Sequence, residues 1–191
     1  MEQGTQVVVV GGGAAGLMAA GQAAAEGAQV LVLERSARLG TKLRITGKGR
    51  CNLTNMAEFD EFLGHFSFLG REGESRFFLR NAFARFFAPD LVAFFEDLGV
   101  ATAVERGERV FPVSNDAHQV ADALARFARQ RGVKVRLQSR VEALLCHGDR
   151  VRGVTLDSGE RVAADAVVIA TGGVSYPKTG SSGDGYRLAE E

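Results

Sequence analysis

The residues of this chain whose types and spacing could do chemistry are Gly11, Gly13 and Gly16, with Ala14 and Ala15 between them, and the carboxylate of Glu34. A Gly-x-Gly-x-x-Gly run presents backbone N–H groups to an anion. An acid at the end of the next strand accepts hydrogen bonds from the two hydroxyls of a ribose. Together these are the means of holding a dinucleotide. Gly11 permits a sharp exit from a strand that a Cβ would resist, Gly13 admits the backbone to a pyrophosphate, and Gly16 lets the following helix pack closely on a sheet. The free N–H groups and the positive dipole end of that helix attract phosphate. Glu34 would repel a 2′-phosphate, so the pattern suits FAD or NAD rather than NADP.

These residues need a strand before Gly11, a helix after Gly13 and a strand before Glu34. The apolar run from Thr5 to Val10, helical spacing over 14–26 closed by Gly27, and Gln29–Leu33 meet that need as a β-α-β unit. A second apolar run at 166–170 reads as a buried parallel strand that delivers Thr171-Gly172-Gly173 to its carboxyl end, the edge where open α/β sheets bind ligands. The loop that follows, Ser175 to Gly185 with Asp184 near its end, is rich in hydroxyls and glycines. It reads either as a surface turn or as N–H groups facing phosphate or flavin oxygens.

Between these ends, residues 36–55 read mostly as loop. Eleven of the 13 Phe residues fall between Phe59 and Phe95, with Phe62/Phe66 and Phe83/Phe86/Phe87 at helical spacing. That stripe predicts helices covering a sheet edge and packing as core; an aromatic wall for a substrate or a membrane surface is the alternative. Short strands are predicted at 100–104 and 110–111 and a helix over 116–131. A small antiparallel meander should follow from 141 to 163, with Asp157-Ser158-Gly159-Glu160 as a hairpin turn.

At 191 residues and 46% hydrophobic, the chain can bury one core or a core with an insertion. Lys plus Arg equals Asp plus Glu at 23 each, so no net field recruits nucleic acid or an anionic membrane. The apolar stretch 7–25 lacks a positive n-region and carries five glycines, which argues for a turn and a buried helix rather than a signal or a membrane span. A cytoplasmic protein is the resulting expectation. Cys51 and Cys146 form no disulfide or Cys-x-x-Cys spacing, and His65, His118 and His147 have no metal spacing. No residue stands out as catalytic acid or base.

The glycine run, Glu34 and Ala170-Thr171-Gly172-Gly173 together resemble the FAD-binding signature of glutathione-reductase-type flavoproteins. More narrowly, Thr46-Gly47-Lys48-Gly49-Arg50-Cys51-Asn52-Leu53-Thr54-Asn55, Arg109-Val110-Phe111-Pro112 and Tyr176-Pro177 through Gly183-Asp184-Gly185 are similar to the bacterial aminoacetone-oxidase-type (YhiN/BaiN-like) FAD-dependent oxidoreductases. The resemblance runs from Val7 to Tyr186. It implies an α/β, Rossmann-like FAD-binding domain over 1–191, with a parallel sheet, helices, a small antiparallel meander and a Phe-rich helical insertion at about 56–99.

By the same resemblance Arg35 and Lys42 would hold the phosphate or adenine side, and the backbone of Val141 would meet adenine. Arg50, Cys51, Asn52 and Thr171–Gly173 would lie nearer the flavin. Cys51 equally suits a small buried hydrophobe. Family members are about twice this length, which implies that the substrate domain and a carboxy-terminal flavin-covering segment lie outside this sequence. The chain alone would then be an incomplete, inactive portion. The activity implied is hydride transfer through flavin N5 to or from a small organic substrate, with NAD(P)H as a candidate electron donor and neither nucleic acid nor membrane as partner. An NAD-binding dehydrogenase or reductase, a tRNA-modifying flavoprotein or nucleic-acid-binding module, and a non-catalytic dinucleotide-binding module are the alternatives.

Overall fold

In the computed structural model, which describes residues 4–66 and 74–190, the chain runs β1 (Gln6–Val10), α1 (Ala14–Ala25), β2 (Gln29–Leu33), β3 (Thr54–Asn55), α2 (Phe59–Gly64), α3 (Glu74–Phe83) and α4 (Ala88–Asp97). It continues through β4 (Thr102–Glu105), β5 (Arg109–Pro112), α5 (Ala117–Gln130), β6 (Lys134–Arg136), β7 (Val141–His147), β8 (Arg150–Leu156), β9 (Arg161–Ala163), β10 (Ala166–Ile169) and α6 (Asp184–Glu190). Two compact units result: Met1–Arg44 with Ala121–Glu191, and Ile45–Val120.

The first unit is built on a parallel sheet of order β10-β1-β2-β6. Four successive valines, Val7 to Val10, make β1 its inner strand, because β-branched side chains pack well on both faces of a pleated surface. Alternation along β1 sorts them. Val8 and Val10 join Leu33, Val141, Val154, Leu156, Ala164 and Leu188 in one buried cluster, so the antiparallel meander β7-β8-β9 and α6 cover one face of the sheet. Val9 points the other way, to α1, where a Cβ on Gly16 would meet it at 3.3 Å. Each fully buried Val or Leu contributes about 1.5–3 kcal/mol, and this double covering commits β1 to its register.

Register also decides what meets at the sheet edge. Val10 pairs in parallel with Ile169 on one side and with Leu33 on the other. The three carboxyl ends therefore emerge together, carrying Gly11, Ala170 and Glu34. The Rossmann-like architecture with a parallel sheet, helices and a meander is as the sequence predicts.

The second unit holds a small antiparallel sheet, β3-β5-β4, with α2, α3 and α4. It is wider than the predicted insertion at 56–99, because it takes in all three strands of that sheet. Part of that predicted helical insertion, 67–73, lies outside the described residues. The expectation that the Phe stripe is core needs correction. Among its described side chains Phe95 is buried, whereas Phe66, Phe78 and Phe86 are exposed and the others half-buried. The rings pack chiefly on one another. Phe62 meets Phe66, Phe83 and Phe87 at centroid distances of 5.6, 5.3 and 5.2 Å, the last two edge to face. Short helices present too little sheet to cover such a stripe, so the aromatic residues form their own cluster.

Candidate dinucleotide site

At the carboxyl edge of the parallel sheet a cavity of about 620 Å³ opens within the first unit. Gly11, Gly13, Ala14 and Ala15 form one wall, Glu34, Arg35, Lys42 and Val141 a second, and Thr171, Gly172, Gly173 and Asp184 a third. Twelve of the sixteen predicted site residues thus share one cavity. Gly16 does not line it; it is buried beneath, where the helix leaves the strand. Arg50, Cys51 and Asn52 belong to the second unit. Arg140, Ser139, Ser181 and Tyr186 line the cavity without having been singled out. Ser181 lay inside the loop recognised as rich in hydroxyls, but nothing in the sequence around Arg140 marks it.

The glycine positions test whether a dinucleotide fits. A Cβ at Gly11 would fall 2.5 Å from the Ala170 carbonyl oxygen, and one at Gly16 would fall 1.9 Å from the Gly11 carbonyl oxygen. Both are closures of the protein on itself. At Gly13 a Cβ would meet nothing within 4 Å, so here the backbone is bare toward open space. Helix α1 begins there with no side-chain cap and no acid in its first turn. Its hydrogen-bond ladder starts with Leu17 N–H donating to the Gly13 carbonyl at 2.9 Å, which leaves the N–H groups of Ala14, Ala15 and Gly16 outside the ladder. Uncapped donors, a positive dipole end and absent side chains together fit a pyrophosphate.

Glu34 is fixed rather than free. Gly12 N–H donates to its Oε2 at 2.6 Å, and the N–H and hydroxyl of Ser36 donate to its Oε1 at 2.8 and 2.5 Å. The carboxylate is therefore oriented by the phosphate-binding turn itself, with lone pairs remaining for ribose hydroxyls. Lys42 Nζ donates to the buried Ser181 hydroxyl at 3.1 Å and stands 3.8 Å from where a Cβ of Gly172 would be. Arg35 donates to the Ser182 hydroxyl at 2.7 Å and pairs with Asp184 at 3.1 Å, and Arg140 reaches the other oxygen of Asp184 at 3.5 Å. Burial works to raise the Asp184 carboxyl, but the Arg140 hydrogen bond and charge, with Ser182 and Arg35, outweigh it and hold the group below the ordinary aspartate value.

In the second unit Arg50 is equally well held. Its guanidinium lies 4.1 Å above the Phe111 ring, donates to Asn115 Oδ1 at 2.6 Å and pairs with Glu105. Lys48 and Cys51 sit at φ 59° and 61°, a left-handed conformation that costs a non-glycine residue about 1–2 kcal/mol. Cys51 is fully buried, and desolvation pushes its thiol up to about 11, so it is a neutral, inert thiol near pH 7. The reading of Cys51 as a small buried hydrophobe is the better match. With its amide oxygen and nitrogen exchanged, Asn52 can donate to the carbonyls of Thr54 and Val110 at 3.0 and 3.2 Å. Among the described residues no group of three or more His, Cys, Asp or Glu side chains could hold a metal ion, and no helix is long and apolar enough to cross a membrane.

Fold and cavity together define a Rossmann-type domain of the FAD-binding class. The chain belongs to the HI0933-like family: residues 5–191 match the HI0933-like protein Rossmann domain. It is 38% identical over 187 residues to a 3-dehydro-bile acid delta(4,6)-reductase of Clostridium scindens, covering 96% of this chain and 43% of that protein. It is 32% identical over 186 residues to a ribosomal RNA dihydrouridine synthase of Escherichia coli, covering 96% of this chain and 43% of that protein. Among solved structures, the open conformation of a flavocytochrome c3 fumarate reductase matches 99% of this chain and 40% of its own, at 25% identity and a TM-score of 0.63. The chain thus spans less than half the length of these relatives.

Proposed function

We propose that the protein carrying this chain is an FAD-dependent reductase of a carbon–carbon double bond conjugated with a carbonyl group in a small organic molecule. The observation that carries the reading is the meeting of Gly11–Ala15 and Thr171–Gly173 in one cavity, with the carboxylate of Glu34 beside them. A bile acid delta(4,6)-reductase, a dihydrouridine synthase and a fumarate reductase are the relatives named above, and a 3-oxo-dienyl steroid, uracil and fumarate all carry such a bond. A small molecule is preferred to RNA because the chain carries equal numbers of cationic and anionic side chains and offers no net field to a polyanion.

When bound, FAD supplies hydride transfer at its N5 atom. The protein's contribution is placement. The uncapped start of α1 and the bare backbone at Gly13 receive the pyrophosphate, Lys42 adds a positive charge next to Gly172, and Glu34 accepts the ribose hydroxyls. The backbone of Val141 meets adenine, and Thr171–Gly173 approach the flavin side. The loop of Arg50, Cys51 and Asn52 in the second unit is proposed to have a functional role of its own, which the strained backbone at Lys48 and Cys51 supports. NAD(P)H is the proposed electron donor and the cytoplasm the proposed location.

The test is the absorbance of the purified protein between about 350 and 500 nm, where oxidised flavin absorbs. Yellow protein that releases FAD on denaturation, is bleached anaerobically by NADH or NADPH and is recoloured by an enone bears the proposal out. Colourless protein that takes up NAD supports the rival dehydrogenase. Recolouring by an unmodified RNA but by no small enone transfers the activity to nucleic acid.

A further inference from the structure

Asp184 ties together two cations that belong to different parts of the sheet edge. One of its oxygens faces Arg35 at 3.1 Å and the other faces Arg140 at 3.5 Å. Arg35, Arg140 and Glu34 all line the cavity. Arg35 directly follows Glu34, and Ser139, next to Arg140, donates its N–H to the Glu34 carbonyl at 2.9 Å. Glu142 also faces Arg140, at 3.9 Å. Without Asp184, the two arginines would form the kind of fork that grips a ribose 2′-phosphate, opposed by Glu34 and, at longer range, by Glu142. With Asp184 ionised, the two cations stand among three carboxylates, Glu34, Glu142 and Asp184, whereas Lys42 has a neutral hydroxyl as its hydrogen-bond partner.

We propose that Asp184 is a positioning residue for ribose specificity: by engaging Arg35 and Arg140 it withholds both from a 2′-phosphate, so that the cavity accepts an adenine dinucleotide whose ribose is unphosphorylated. The inference rests on the dinucleotide reading of the site and adds to Glu34 a second determinant that comes from the far end of the chain. Asp184 acts through the two arginines and has no bond to make or break. Its depressed protonation equilibrium is consistent with a carboxylate that stays charged at neutral pH.

The experiment measures dissociation constants of ADP-ribose and of 2′-phospho-ADP-ribose by calorimetry on the full chain, after removal of any bound flavin. These probes differ by the one phosphate. The wild-type protein prefers ADP-ribose by about ten-fold or more, Asp184→Asn narrows that preference at least about five-fold by tightening the phosphorylated probe, and Asp184→Glu, which keeps the charge, retains it. Adding Arg140→Gln to Asp184→Asn removes one released arginine and returns the preference toward that of the wild type, and Asp184→Ser serves should Asp184→Asn not fold. A preference that is the same in the wild type and in the Asp184→Asn or Asp184→Ser variant overturns the role of Asp184 while leaving the dinucleotide site intact. Failure of the wild type to bind either probe or FAD overturns the site and this inference with it.

Discussion

Glu34 shows how a side chain proposed to read a ribose is itself held in place by the protein. Its carboxylate accepts the buried N–H of Gly12 and the two donors of Ser36, so its removal both deletes ribose acceptors and leaves a phosphate-turn donor unpaired. Glu34→Ala should weaken FAD binding by about 1–3 kcal/mol, the range for hydrogen bonds to a charged group. Glu34→Gln, which keeps one acceptor oxygen, should lose less. Calorimetric titration with FAD checks both, and equal affinities for wild type and Glu34→Ala would remove Glu34 from the site. The place of Glu34 just after a strand was readable from the sequence. The N–H of Gly12 as its partner was not, because that bond depends on how the turn folds back.

Packing between elements is tightest where α1 meets α5. A Cβ at Gly21 would fall 2.0 Å from the Phe127 ring, and that ring is among the largest fully buried side chains. Gly21→Ala should therefore overpack this contact and cost about 1–3 kcal/mol. In urea unfolding the double variant with Phe127→Leu should recover part of that loss. Full additivity of the two single changes would mean that the residues do not share the contact. Periodicity in the sequence predicts both helices to within a residue or two. It is silent on which glycine of α1 faces which aromatic ring, since hydrophobic spacing defines a face and not its partner. The Phe-rich helices show the same limit, because a stripe at helical spacing is compatible with a buried core and with rings stacked on one another.

At the scale of the whole molecule, Asp184 links the end of β2, the turn before β7 and the start of α6. Its folded-state carboxyl is depressed, so its stabilisation is present above the ordinary aspartate value near pH 4 and is lost as pH falls through the lower folded value. Urea midpoints measured between about pH 2 and 6 should fall on the acid side for the wild type, and the fall should be smaller in Asp184→Asn. Parallel curves would show that other carboxylates account for it. By itself the sequence determined the β-α-β unit, the strand that leads into Thr171 and the residue types at the sheet edge, because strand alternation, helix spacing and glycine turns are local properties of neighbouring residues. Only the tertiary structure decided that Arg35, Arg140 and Asp184 meet, that Cys51 is sealed as a neutral thiol, and that the second unit spans Ile45–Val120. These depend on parallel register and on burial, which couple residues more than a hundred positions apart and leave no periodic trace in the chain.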